Sequence, residues 1–306
     1  MTGGTSGIGR RVVERLLHGR PDWQIVLLAR PSPHLDELRG RLAAGERLSV
    51  VCADLASLKS VDRACTQIAE RLGSNSIDAL ALNAGVQAVR SDASSADGLE
   101  LSFAVNYLAH VLVAERLKGL LRPRGRIIFT TSEVHDPGAF CLMGIGRATW
   151  QDPLLLADPT RSQDHVDSQV DRGEARYCAS KLLCLMYVRY LAQVSPNIEV
   201  IAFNPSVVAG TEIARDRNWL QQLGWKYVMP LLTPILPGTR SIERSSGTCC
   251  GSSPRPTHGG SPDSTSTGAW PSADPMNQGN RQRFCARWKL PVRCSATTCR
   301  HLTSIA

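Results

Sequence analysis

The sequence predicts an α/β fold, a single domain on a doubly wound parallel sheet, and three observations carry that expectation. Short apolar runs recur along the chain to about residue 205. Stretches with helical periodicity separate them, as they do when crossover helices cover both faces of a parallel sheet. A glycine-rich turn, TGGTSGIG over residues 2–9, precedes the first helical stretch.

In chain order, the glycine turn comes almost at once. Such a turn ordinarily follows a strand, and only the last residue or two of one fits before it. A truncated start or a misplaced start codon is the expectation. Residues 9–17 form the first helix, with Gly19 just beyond. Residues 24–29 read as a buried strand, followed by Arg30 and a Pro-rich turn. Residues 48–55 are a second run, ending in Ala53-Asp54-Leu55. Val61, Ala64, Cys65, Ile68, Ala69 and Leu72 share one helix face, and Gly73 is placed to end that helix. A strand over 79–82 ends in Asn83-Ala84-Gly85. A helix over 101–120, a strand over 126–132, a helix over 177–192 and a strand over 199–204 complete the pattern.

Composition narrows the function. Residues 246–306 hold seven Lys/Arg and two Asp, so they carry +5 of the formal charge of +8 and leave +3 for residues 1–245. The folded part is not strongly basic, and no nucleic-acid-binding signature is present, so nucleic acid is not an expected partner. The ten cysteines form no CxxC pair and no zinc-site spacing, so no metal is expected. Met1 opens no signal peptide, and there is no apolar run of ~18 residues. A cytoplasmic protein without an integral membrane segment follows as an expectation.

The character changes near Ser246. Among Val, Ile and Leu, residues 246–306 contain only Leu290, Val292, Leu302 and Ile305, and roughly half of the segment is Gly, Pro, Ser or Thr. That composition buries too little apolar surface to offset the entropy of ordering. The expected division is a domain over 1–245 and a low-complexity, disordered tail over 246–306. The tail also reads like sequence translated out of frame.

The glycine loop carries the first chemistry. Gly3, Gly7 and Gly9 let the backbone turn tightly and approach a pyrophosphate, and the following helix offers free N–H groups and a favourable dipole. Glycine also serves turns with no ligand, so the loop gains weight from its company: Asn83-Ala84-Gly85 ending one strand, Ser132 ending another, and Tyr177-x-x-x-Lys181 opening a helix. In this order the set closely resembles the short-chain dehydrogenase/reductase family over about residues 2–213. The spacing TGxxxGxG differs from the TGxxGxxG of the family's epimerase branch and favours reductase chemistry.

The resemblance implies a Rossmann-like sheet and a catalytic set of Asn106, Ser132, Tyr177 and Lys181. Tyr177 and Lys181, four apart, share a helix face. A phenol with a pKa of ~10 is a poor base at neutral pH, and a nearby ammonium lowers that value. By resemblance, Tyr177 protonates the nascent alkoxide or deprotonates the alcohol, Lys181 tunes it and holds the nicotinamide ribose, and Ser132 polarises the substrate oxygen. Asn106 matches the family Asn that organises a water relay. The implied cofactor site comprises Gly3, Thr5, Ser6, Gly7, Ile8, Gly9, Arg10, Arg30, Asp54, Leu55, Asn83, Ala84, Gly85, Tyr177, Lys181, Pro205 and Val208. His135, close to Ser132, is assigned to loop structure.

Cofactor choice turns on charge. NAD-preferring sites usually place Asp or Glu after the second strand, where this chain has Ala29-Arg30. Arg suits a phosphate, and Arg10 directly follows the loop, so NADP(H) is expected. Asp54-Leu55 resembles the family pair beside the adenine, with a helix cap as an equal alternative for Asp54.

The long stretch 133–176 resembles the branch containing retinol dehydrogenases and protochlorophyllide reductases, which implies a bulky, apolar carbonyl or alcohol substrate. An apolar segment at 219–237 is read as a lid, with ordinary packing and a membrane-surface contact as alternatives. Two departures weaken the nicotinamide contacts: Pro205-Ser206 stands for the family's Pro-Gly, and Thr211 is displaced behind Gly210. The family's last strand has only a weak match at 267–270. The expected function is hydride transfer between NADP(H) and a carbonyl or alcohol, in a possible homo-oligomer. The alternative is a catalytically silent NADP-binding protein or the non-functional product of a truncated or frameshifted gene.

Overall fold

Spacing of apolar residues builds the first layer. Helix α1 (Gly7–Gly19) buries Gly9, Val12, Val13 and Leu17 on one face, the three- and four-residue spacing of an amphipathic helix. Strand β1 (Ile25–Ala29) pairs in parallel with β2 (Leu48–Cys52). Side chains alternate across β1: Leu27 joins a core with Val13, Leu17, Leu35 and Leu38, whereas Leu28 joins the larger core on the other side. The structure, a computed structural model, describes residues 1–42, 45–88, 93–132, 134, 152–160, 169–205, 207–208, 239–240, 243 and 245–246.

Helix α2 (Pro33–Leu42) occupies the place where the sequence reading put a turn. Pro33 is at the helix start, where a missing N–H costs nothing, and Leu35 and Leu38 bury against α1 and β1. Helix α3 (Leu58–Leu72) buries Leu58, Val61, Ala64, Cys65 and Ile68. Its cap is Ser57, whose side chain accepts from the Ser60 N–H, and it stops at Gly73 with φ 56°.

The second sheet segment runs β3 (Ile77–Leu82), β4 (Leu121–Thr130) and β5 (Glu199–Phe203), with β4 in the middle and all pairs parallel. Between β3 and β4 lies a continuous helical stretch, with π-type turns over Phe103–Leu108 and then α4 (Ala109–Leu117). After β4 come the short α5 (Pro153–Ala157) and α6 (Gln169–Val194), which starts upstream of Tyr177. A short pair, β6 (Val207–Val208) with β7 (Thr239–Arg240), was not expected from sequence. Leu80, Leu82, Ile127 and Phe129 pack with α3, α4 and α6 in the main core.

Met1 and Thr2 join the two segments. Thr2 makes parallel bridges to both Leu28 and Leu82. The Leu28 N–H donates to the Met1 carbonyl and the Thr2 N–H to the Ala81 carbonyl, each at 2.9 Å. The order is therefore β2-β1-(Met1, Thr2)-β3-β4-β5. Loops at the C-terminal ends of β1, β3 and β4 consequently share one edge of the sheet, where ligands of such sheets bind. Several expectations lie outside the described residues: His135, the 210–211 departure, the 219–237 segment, the 267–270 strand and the tail beyond Ser246.

The Met1 ammonium donates to the Val26 carbonyl at 2.7 Å. Burial lowers its pKa from 8.0 to about 5. Between those values the unfolded chain binds more protons than the folded one, so stability rises with pH from about 5 to 8. Extending the chain ahead of Met1 by a few β-branched residues replaces the ammonium with an amide and adds a strand between β1 and β3. Thermal denaturation should then show a melting temperature higher by several degrees at neutral pH, given ~4–8 °C per kcal/mol for small domains and less for larger ones. The rise with pH over the same interval should flatten. An extended chain with the parent's melting curve at every pH would refute this account of the sheet centre.

Candidate active site

The glycine loop is shaped by close approach. Gly3 has φ +66°, and a Cβ there would lie 2.7 Å from the Ala84 backbone. A Cβ on Gly9 would run into the Gly3 carbonyl oxygen and come within 2.6 Å of Asn83 Nδ2. The loop is thus seated on the end of β3. Ser6 caps α1 without any side-chain hydrogen bond, and the first turn holds no acidic residue. The N–H groups at this helix start remain available to an anion, and their partial charge favours one. A bare backbone cradle at an uncapped helix start fits the pyrophosphate of a dinucleotide.

From this cradle a chain of hydrogen bonds leads to the lysine. Asn83 Nδ2 donates to the Gly3 carbonyl at 3.1 Å, and Thr130 Oγ1 donates to Asn83 Oδ1 at 3.1 Å. Lys181 Nζ donates to the Thr130 carbonyl at 2.9 Å. Thr2 Oγ1 accepts from the Asn83 and Ala84 N–H groups at 3.0 and 3.1 Å. Gly85 stays exposed at the strand end, where an added Cβ would sit 3.6 Å from Lys181 Nζ.

The four expected catalytic residues converge. Tyr177 and Lys181 are both buried on α6, with Nζ 5.9 Å from the phenol ring centroid. Ser132, two residues past the end of β4, hydrogen-bonds the Tyr177 side chain. Asn106 grips Val86 on both sides, accepting from its N–H at 2.8 Å and donating to its carbonyl at 2.9 Å, and also donates to Ser180 Oγ at 3.1 Å. Electrostatics depart from expectation. Burial pushes the Tyr177 phenol well above its ordinary value, and the Ser132 hydrogen bond offsets this only in part. Burial also pushes the Lys181 ammonium down. The lysine turns a donor to the Thr130 carbonyl, so desolvation outweighs its pull on the phenol.

The remaining positions are more dispersed. Thr5, Ser6, Gly7 and Ile8 are half-buried along the loop. Arg10 does not stand open: it bonds Glu14 at 3.0 Å and forms a two-pronged pair with Glu37 of α2 at 3.1 and 3.2 Å. Arg30 is exposed just after β1. Asp54 is not the cap of α3; its Oδ1 accepts from the Ala56 N–H at 3.0 Å in a local turn. Leu55 packs against the main core, and Pro205 and Val208 are buried after β5. Sequence reasoning passed over Ser180, Glu37 and His110. His110 carries one signal, a lone imidazole four residues beyond Asn106 in the apolar run over residues 108–114.

Known proteins match this architecture. Residues 1–142 fit the model of the family described as short chain dehydrogenase. "Short-chain dehydrogenase iccH" of Talaromyces variabilis is 28% identical over 61% of this chain and 60% of its own length. "Retinol dehydrogenase 14" of Mus musculus is 28% identical over 68% of this chain and 60% of its own. The chain thus spans about 60% of the length of these curated relatives. The crystal structure of NADPH-bound carbonyl reductase from chicken fatty liver superposes with a TM-score of 0.57 at 17% identity, covering 80% of this chain and 86% of that one, a likeness of fold. No described helix is long and apolar enough to cross a membrane. With its glycine loop, its Asn83-Ala84-Gly85 strand end and its Ser132, Tyr177 and Lys181 on one sheet edge, the chain is similar to short-chain dehydrogenases, retinol dehydrogenases among them.

Proposed function

We propose that this protein is an oxidoreductase that transfers a hydride between NADP(H) and a carbonyl or alcohol. The observation that carries the reading is the hydrogen bond between half-buried Ser132 and buried Tyr177, beside Lys181 and one strand from the glycine cradle. A bound nicotinamide cofactor supplies or accepts the hydride. The residues of the chain do the rest. Ser132 donates to the substrate oxygen and holds it near the phenol. Tyr177, kept protonated by burial, gives its proton to the oxygen as negative charge develops there. In the oxidative direction it must first lose that proton, and a ligand that turns the Lys181 ammonium from Thr130 toward the phenol favours that loss.

Gly3, Gly7 and Gly9 with the α1 start hold the pyrophosphate, and Asn83, Ala84 and Gly85 line the next strand end. Asp54 and Leu55 border the adenine, and Pro205 and Val208 border the nicotinamide. Arg30 is the main partner of the 2′-phosphate. Arg10 contributes less, because Glu14 and Glu37 already balance its charge. Similarity to a retinol dehydrogenase supports a bulky, apolar substrate. A screen of bulky aldehydes, ketones and alcohols, followed by NADPH absorbance, identifies it.

Replacing Tyr177 with Phe removes the transferable proton and keeps the packing. Turnover should fall by ~10²–10⁴, the size of a lost acid–base group, while NADPH still binds. Ser132→Ala should lower turnover and spare cofactor affinity, whereas Lys181→Ala should harm both. A Tyr177→Phe enzyme with the parent's turnover refutes this mechanism.

NADPH should bind more tightly than NADH by roughly tenfold to a hundredfold, since a charge-assisted contact is worth about 1.5–3 kcal/mol. Arg30→Asp should remove or reverse the preference, and Arg10→Ala should shift it less. Equal titration curves for the two cofactors in the parent chain would show that no 2′-phosphate site exists.

A further inference from the structure

His110 lies in α4, 2% exposed, and the chemistry above gives it no task. Its Nδ1 is 3.0 Å from the Asn106 carbonyl oxygen and its Nε2 is 3.0 Å from Thr2 Oγ1. A carbonyl only accepts, so Nδ1 carries the ring proton. Thr2 Oγ1 already accepts from the Asn83 and Ala84 N–H groups, which occupies both of its lone pairs. Its own proton therefore points to Nε2, which must be the bare nitrogen of a neutral imidazole. Burial and the nearby Lys181 lower the His110 pKa to about 3, in keeping with that state. Every hydrogen bond in this chain has one possible direction.

We infer that His110 is a positioning residue: by accepting from Thr2 and donating to Asn106 it locks the cofactor-facing end of β3 to the helix that carries Asn106. The functional consequence rests on the proposed cofactor site. The geometry reaches further, because the Asn106 carbonyl also accepts from Cys184 Sγ at 3.2 Å, three residues beyond Lys181 on α6. One histidine thus connects Thr2 at the sheet centre, the Asn83-Ala84-Gly85 strand end, and the helix bearing Tyr177 and Lys181. Its ring also stands edge-on to Phe129, with centroids 6.5 Å apart at 84°. Without the imidazole, the Thr2 hydroxyl keeps a buried proton with no acceptor, unless it rotates and gives up an Asn83 or Ala84 N–H. Either outcome loosens the strand end.

The test uses the full chain with His110→Phe, His110→Gln, Thr2→Val and the Phe/Val double variant. Phe keeps the ring contact with Phe129 and removes both nitrogens, whereas the Gln amide oxygen restores an acceptor for Thr2. Affinity for NADPH is titrated at a temperature where circular dichroism shows each variant folded. His110→Phe should weaken binding by about tenfold, the scale of one buried hydrogen bond. Thr2→Val should do the same, the double variant should be no worse than either, and His110→Gln should recover most of the loss. In parallel, amide exchange at Asn83 and Ala84, followed by NMR, should accelerate in His110→Phe and return toward the parent rate in His110→Gln. Additive losses, or parent-like exchange in His110→Phe, overturn the inference. A parent chain that binds no nicotinamide cofactor sinks the proposed function instead, and the exchange rates still decide the role of His110.

Discussion

The structure depends on one side chain being satisfied in full where no water reaches it. Thr2 is 0% exposed and stands where the two sheet segments meet. Its backbone pairs with both β1 and β3, and its hydroxyl takes two N–H donors and gives one proton away. A buried hydroxyl without partners costs a few kcal/mol, a large share of the ~5–15 kcal/mol that holds a domain together. Such a group is tolerable only when all its partners are in place. Formation of the strand end at Asn83 and seating of α4 on the sheet are therefore tied together, and the two bind as a unit.

The Tyr177–Lys181 pair and the glycine cradle sit on one edge of the sheet. Parallel strands all point the same way, so the loops leaving β1, β3 and β4 gather at one rim. Asn83 spans the rim: its amide reaches the glycine loop on one side and Thr130 on the other. Thr130 passes the connection to Lys181 through its carbonyl. The cost of this compactness is desolvation. A phenol and an ammonium that share a buried site each shift toward the neutral form, the Tyr177 phenol upward and the Lys181 ammonium downward.

Sequence reasoning reached the frame and brought together most of the residues of the candidate site, and its departures from the structure have physical causes. The five long strands show in the sequence through apolar runs such as Ile25–Ala29 and residues 127–129, whose side chains are buried or half-buried. The Gly3-Gly7-Gly9 spacing and the Tyr177–Lys181 pair are local, so chain distance maps onto space. Helix α2 was taken for a turn because Pro31 and Pro33 read as punctuation, although proline is at home in a first helical turn and Leu35 and Leu38 supply the buried face. The contacts of His110 and Ser180 are hidden for a different reason. Their partners are 108 and 74 residues away, and no period or motif encodes a hydrogen bond of that range. The direction of the Tyr177 shift was missed in the same way: the lysine was in view, but the depth of burial was not.

Charge at the glycine loop shows how a motif and its surroundings can disagree. Arg10 directly follows the loop, the position that suggests a phosphate contact, yet Glu14 and Glu37 already surround it. Glu37 is 43% exposed in its side chain, so its pairing with Arg10 is screened by water. A phosphate with nearly two negative charges outbids one exposed carboxylate, but it must first separate the pair and leave Glu37 close by, where it repels. Arg30 faces no such competitor among its described hydrogen bonds and ion pairs. In the proposed cofactor site, the positive charge offered to a 2′-phosphate would therefore come chiefly from Arg30 at the end of β1. Arg10, just after the glycine loop, pairs across to Glu37 and so links α1 to α2.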